Sequence, residues 1–236
     1  MTRRTPPLGL AVVAMAVSAG SAWGQAPDCT QPHSGIFGST DVLTDRMECT
    51  RVDRVVLPTE LQMPETGAYQ WGGTFTAYQC QNSETQSEEV WHFVACTGSH
   101  VSHFGGGRDI QATGVGIAMI IPPGGAATLQ TAHDLQVFFT DGSFTGFDMA
   151  NEPASLQLGE GPVHAGCHAR DILRHGARLA IDDPALVDDV LADLAAATEA
   201  TIAFADTTLT RPTGDGGELI ARLEHCLGEY RAWAAN

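Results

Sequence analysis

The chain has 236 residues, with 28 acidic against 12 basic and a formal net charge of −16; every basic residue is an arginine. A surface of this sign excludes nucleic acid and anionic lipid head groups, since both are negative too. It leaves a basic protein or a cation-bridged envelope component as the partner to expect.

The first residues predict export. Arg3 and Arg4 form a basic start, Leu8–Val17 is apolar, and SAGSAWG supplies the small residues of a cleavage site, which together read as a signal peptide over residues 1–24. The apolar run is far short of the ~20 residues that a membrane span requires, and no later run reaches that length. Removing residues 1–24 takes away two arginines and no acid, leaving 10 basic against 28 acidic residues. The expected location is periplasmic or secreted. In an oxidising compartment the even set Cys29, Cys49, Cys80, Cys96, Cys167 and Cys226 reads as three disulfides, with 15 possible connectivities. No close CxxC pair offers a metal alternative.

From residue 25 to about 58 the sequence is irregular, rich in Gly, Pro, Ser and Asp, and Cys29 and Cys49 tie it down, to each other or to the body. RVVLP (Arg54–Pro58) predicts a short strand. AYQWGGTFTAYQC (Ala68–Cys80) has the threonines and aromatics of a strand, and VWHFVAC (Val90–Cys96) alternates with period two. If these two form a hairpin around the polar QNSETQSEE, Cys80 and Cys96 fall at opposite ends, too far apart to bridge. GVGIAMII (Gly114–Ile121) suits a buried strand, ended by PPGG. LQVFFT-DG-SFTGFDM (Leu135–Met149) predicts a hairpin on Asp141-Gly142, with Phe139 facing Phe144.

After Gly159 and Gly161 the pattern changes. DDPALVDDVLADLAAATEA predicts a helix with an Asp cap and Pro184 in its first turn, and Val187, Val190, Leu191 and Leu194 share one face. TIAFAD (Thr201–Asp206) predicts a strand and TRPTGDGG a loop. ELIARLEHCLGEYRAW predicts a last helix with Leu219, Leu223, Cys226 and Tyr230 inward. The expected fold is α+β and disulfide-stabilised: a mostly antiparallel β-rich body over residues 25–160, and a helix–strand–helix segment over 161–236 packed on it as one domain.

The stretch GPVHAGCHARDILRHG (Gly161–Gly176) is the densest in chemistry. HAGCH is one cysteine short of the haem-attachment pattern CxxCH; in a haem protein Cys167 would make a single thioether and His168 would ligate iron. His164 and His168 are four apart, the spacing of a helical zinc pair, with His175 seven further on. The Gly and Cys between them argue against a helix. His100 and His103 form a second pair, and Asp109, Asp134 and Asp171 lie near histidines in sequence. VHAGCHAR also resembles the SHGC–Arg motif of L,D-transpeptidases, which implies a Cys167 nucleophile activated by His164, His168 or Arg170. The plainest alternative is structural, with Cys167 bridged to Cys226 as a clasp on the last helix.

The pairs Asp182/Asp183 and Asp188/Asp189 fit a helix start and its solvated face. Trp71, Trp91 and Tyr78 would stack sugars if they lined one face, but on strands such residues usually fill the core. WHFVAC, IIPPGG and Gly166-Cys167 resemble small periplasmic proteins related to invasion-associated locus B, and no residue or activity is carried across from that likeness. The functional expectation is therefore a non-catalytic exported binding or structural protein needing no cofactor. A metal- or haem-binding protein using His164, Cys167 and His168 is the alternative, and a cysteine-nucleophile envelope enzyme the third.

Overall fold

The structure is a computed structural model that describes residue 29 and residues 48–57, 66–81, 87–106, 109–142, 152–171, 174–181 and 183–236. The signal-peptide reading, the irregular segment up to residue 47 apart from Cys29, and the second arm of the expected Leu135–Met149 hairpin lie outside these residues.

The chain folds as a β-rich α+β protein. Among the described residues ten strands form one antiparallel sheet: β1 (Glu48–Leu57), β2 (Tyr69–Gln81), β3 (Glu88–Gly106), β4 (Asp109–Ile121), β5 (Asp134–Asp141), β6 (Pro153–Leu158), β7 (Val163–Asp171), β8 (Arg174–Ala180), β9 (Glu199–Phe204) and β10 (Thr207–Pro212). Helix α1 is Pro184–Ala196 and α2 is Gly216–Ala234. The strand order is β1-β2-β3-β4-β5-β8-β7-β6-β9-β10, a meander that doubles back after β5. No helix among the described residues is long and apolar enough to cross a membrane.

Alternation explains the layering. Side chains on successive strand positions point to opposite faces, and one face carries Phe75, Val94, Val115, Ile117, Leu135 and Leu156. Both helices close that core, α1 with the four residues its spacing marked and α2 with Leu219, Leu223, Cys226 and Tyr230. Each helix starts on an aspartate cap: Asp183 accepts from the Ala185 N–H and Asp215 from the Gly217 N–H. Gly98 lets α2 lie on β3, because a Cβ there would sit 2.5 Å from the Leu219 carbonyl oxygen. The opposite face holds a smaller core of Tyr78, Phe93, Ala95 and Ala118.

All six cysteines are bridged: Cys29–Cys167, Cys49–Cys80 and Cys96–Cys226. The β2–β3 hairpin forms as expected, pairing Tyr78 with Trp91, and keeps Cys80 and Cys96 apart. The expected Cys167–Cys226 clasp is replaced. Cys96 lies on the same face as Val94, beneath α2, and takes Cys226 at a Cα separation of 5.8 Å. Cys167 lies on the other face of β7 and takes Cys29 instead.

Three other expectations change. Strand β5 pairs with β4 through one edge and β8 through the other, so no edge remains for a hairpin built on Asp141-Gly142. Phe139 stands between Thr113 and His175, and its expected partner Phe144 lies outside the described residues. The segment between the helices is a β9–β10 hairpin, with strand Thr207–Pro212 taking in Thr210–Pro212 of the expected loop TRPTGDGG, and β9 adds to β6. Gly161–Gly176, expected to be a clasp, supplies all of β7 and the start of β8.

Candidate functional site

Strand β7 explains how VHAGCHAR folds. Val163, Ala165 and Cys167 alternate with His164, Gly166 and His168, so the two histidines share the face that carries the larger core and the helices. His164 Nε2 lies 2.9 Å from Asp193 Oδ2 on α1, which ties β7 to that helix.

His168 lies deeper, at 4% exposure. Its Nδ1 is 3.0 Å from Glu152 Oε1, just before β6, and its Nε2 is 2.9 Å from Nδ1 of His175 on β8. The two imidazoles are parallel within 5°, and Phe204 of β9 stacks on His168 with ring centroids 3.5 Å apart. Facing an ionised Glu152, which only accepts, His168 donates from Nδ1. The site is a carboxylate–imidazole–imidazole chain running from the residue before β6 through β7 to β8, with Phe204 of β9 stacked on His168.

This geometry separates the residues that sequence spacing grouped. His164 and His168 are four positions apart on a strand, roughly 13 Å along it, and each has its own carboxylate. Two ligands on one zinc ion bind at about 2.0–2.1 Å each, so these two do not share an ion. Cys167 Sγ is bonded to Cys29 and offers no thiolate for haem attachment or for nucleophilic attack. His175 does meet His168, through strand pairing rather than a helix. His100 packs at a tilt against Tyr69 and His103 lies 3.2 Å from Asp109, with a bulge between them. Among the described residues no three His, Cys, Asp or Glu side chains are arranged to hold a metal ion. Trp91 and Tyr78 belong to the smaller core and Trp71 packs against the larger one, so the three do not form one sugar-binding face.

Asp134, noted only for its sequence neighbour His133, turns out to be half of a buried ion pair. Arg178 of β8 donates to both its carboxylate oxygens, Nη2 lying 2.8 Å from Oδ1 and 2.7 Å from Oδ2, with Nε at 3.1 Å from Oδ1. Burial pushes the His133 imidazole below the ordinary histidine range, more strongly than the Asp134 carboxylate raises it, and Arg178 adds to the lowering. Burial likewise lowers His92 and His100. Sequence reasoning missed Glu152, Asp193 and Phe204. Each reaches its histidine by strand pairing or helix packing, with no local pattern to announce it.

Comparison with protein-family models, with curated proteins and with solved structures finds no match to this chain.

Proposed function

We propose that this chain is an exported, non-catalytic binding or structural protein of the cell envelope or the extracellular space. The observation that supports this reading is the use of all six cysteines in disulfides, two of them closing loops of more than a hundred residues. A framework of that kind suits an oxidising compartment, because cytosolic reductants keep thiols open. The excess of 28 acidic over 12 basic residues favours a basic protein or a cation-bridged envelope component as the partner, held by contacts that weaken as salt rises.

The test is the intact mass of the protein after expression with its own N-terminus in a bacterium, with native and denatured alkylation compared. The expected product begins at Gln25, lacks six hydrogens relative to the reduced chain, and takes no alkyl group in either state. A cysteine that alkylates in the native protein, or a mass increment that stays with the chain, would overturn the non-catalytic reading. An uncleaved cytoplasmic product would overturn export.

A further inference from the structure

The three bridges differ in how far solvent reaches them. Cys96 and Cys226 are fully buried between β3 and α2, and Cys29 and Cys167 are 4% and 8% exposed. Cys49 alone among the six cysteines stands partly exposed, while its partner Cys80 is fully buried in the smaller core with Tyr78 and Phe93. The strand order puts β1 at the end of the sheet among the described residues. Cys49 lies directly opposite Cys80 there, next to the last pair of the β1–β2 ladder, Glu48 with Gln81.

We propose that Cys49–Cys80 is a thiol–disulfide exchange site, opened in the folded protein by a dithiol reductant while the other two bridges stay closed. Exchange needs a thiolate to reach one sulfur of the bridge, so access decides which bridge reacts. The incoming thiolate attacks Cys49 Sγ, the bond between the two Sγ atoms breaks, and Cys80 leaves as a thiolate that takes a proton from water. The second thiol of the reductant, as its thiolate, then attacks the reductant's own sulfur in the mixed disulfide. That expels Cys49 as a thiolate, which is protonated in turn, and the dithiol ends as a disulfide. Two electrons have passed from the dithiol to the bridge. Charge assists the approach. A chain of net charge −16 repels an anionic thiolate, but Arg51 and Arg54 of β1 are exposed opposite Tyr78 and Thr76, which alternate onto the same face as Cys80. These two cations lie on the strand that carries the attacked sulfur and draw the thiolate towards it. The sheet outlasts the loss, because β1 stays joined to β2 by the register pairs from Glu48–Gln81 to Leu57–Gly73. The partner this site fits is a molecule or protein that presents two neighbouring thiols to the end of a sheet.

The test treats the oxidised full chain with dithiothreitol at pH 8 without denaturant, quenches samples with iodoacetamide at intervals, and maps the alkylated cysteines by peptide mass. The first product should carry its alkyl groups on Cys49 and Cys80 and form about tenfold faster than any product alkylated at the other four cysteines. Its circular dichroism should match that of the oxidised protein. Urea at about 1 M, below the unfolding transition, should leave this first rate unchanged. The same urea should raise the rates of the two buried bridges, which a reductant reaches only when the structure opens. Earlier reduction of Cys29–Cys167 or Cys96–Cys226, or six thiols appearing together, would overturn the proposal. So would a Cys49–Cys80 rate that climbs with urea in step with the other two, since that marks reduction through unfolding rather than direct attack.

Discussion

Removing the Cys96–Cys226 bridge should destabilise the protein more than removing Cys49–Cys80. The reason lies in how much each restricts the unfolded chain. Cys49 and Cys80 are 31 residues apart on directly paired strands, whereas Cys96 and Cys226 are 130 apart. By loop-closure entropy the short bridge contributes about 3.7 kcal/mol and an isolated long one about 5 kcal/mol. The long bridge is not isolated. Cys29–Cys167 spans position 96, and the cross-link shortens the effective path from 96 to 226 to roughly 95 residues, which lowers the contribution to about 4.7 kcal/mol. Cys96 and Cys226 are both fully buried, so the double Ala variant also leaves a small void and loses slightly more. The expected loss of roughly 5 kcal/mol corresponds to a fall in Tm of about 10–20 °C for a chain of this size. Urea unfolding under non-reducing conditions, followed by circular dichroism, measures both double variants against the parent. If Cys49→Ala/Cys80→Ala is the less stable of the two, loop closure is not what these bridges contribute.

Two further predictions rest on buried charge. Asp134→Ala should cost roughly 3–5 kcal/mol by leaving Arg178 buried without its carboxylate, whereas Asp134→Leu with Arg178→Met should come close to the parent; urea midpoints of the two decide it. Stability should fall as pH drops through the histidine range, because the unfolded chain binds protons at His92, His100 and His133 that the folded chain resists. Their folded values lie below the ordinary one, so the loss begins near about pH 6.5 and levels off below the folded values. His133→Gln should flatten part of the slope in a series of urea midpoints from pH 8 to pH 5, and an unchanged slope would show that His133 titrates freely.

The parts legible in the sequence were those governed by local periodicity. The helix stripes of α1 and α2, the β2–β3 hairpin and the even cysteine count each follow from spacing or parity. The partners across the sheet were not legible, because they depend on which edge each strand finds. LQVFFT-DG has the local chemistry of a tight hairpin, yet β4 and β8 both bury the apolar residues of β5 and leave no edge for one. VHAGCHAR has no apolar alternation, since one face holds two histidines whose polarity is met by Glu152, His175 and Asp193 from elsewhere. Cys226 was rightly placed inward. Its partner was Cys96 rather than Cys167, because Cys96 shares the helix-covered face and Cys167 does not.

The disulfide pattern also bears on how the protein is made. No cysteine pairs with the cysteine next to it in order except Cys49 with Cys80, and the other two bridges interlace. A chain emerging from its N-terminus presents Cys29, Cys49, Cys80 and Cys96 while only one correct pair exists among them. Cys29 and Cys96 must stay open, or be wrongly joined and later released, until Cys167 and Cys226 arrive. Rapid oxidation alone would trap Cys29–Cys49 and Cys80–Cys96, so the yield of folded protein should depend on a thiol–disulfide isomerase more than on an oxidant.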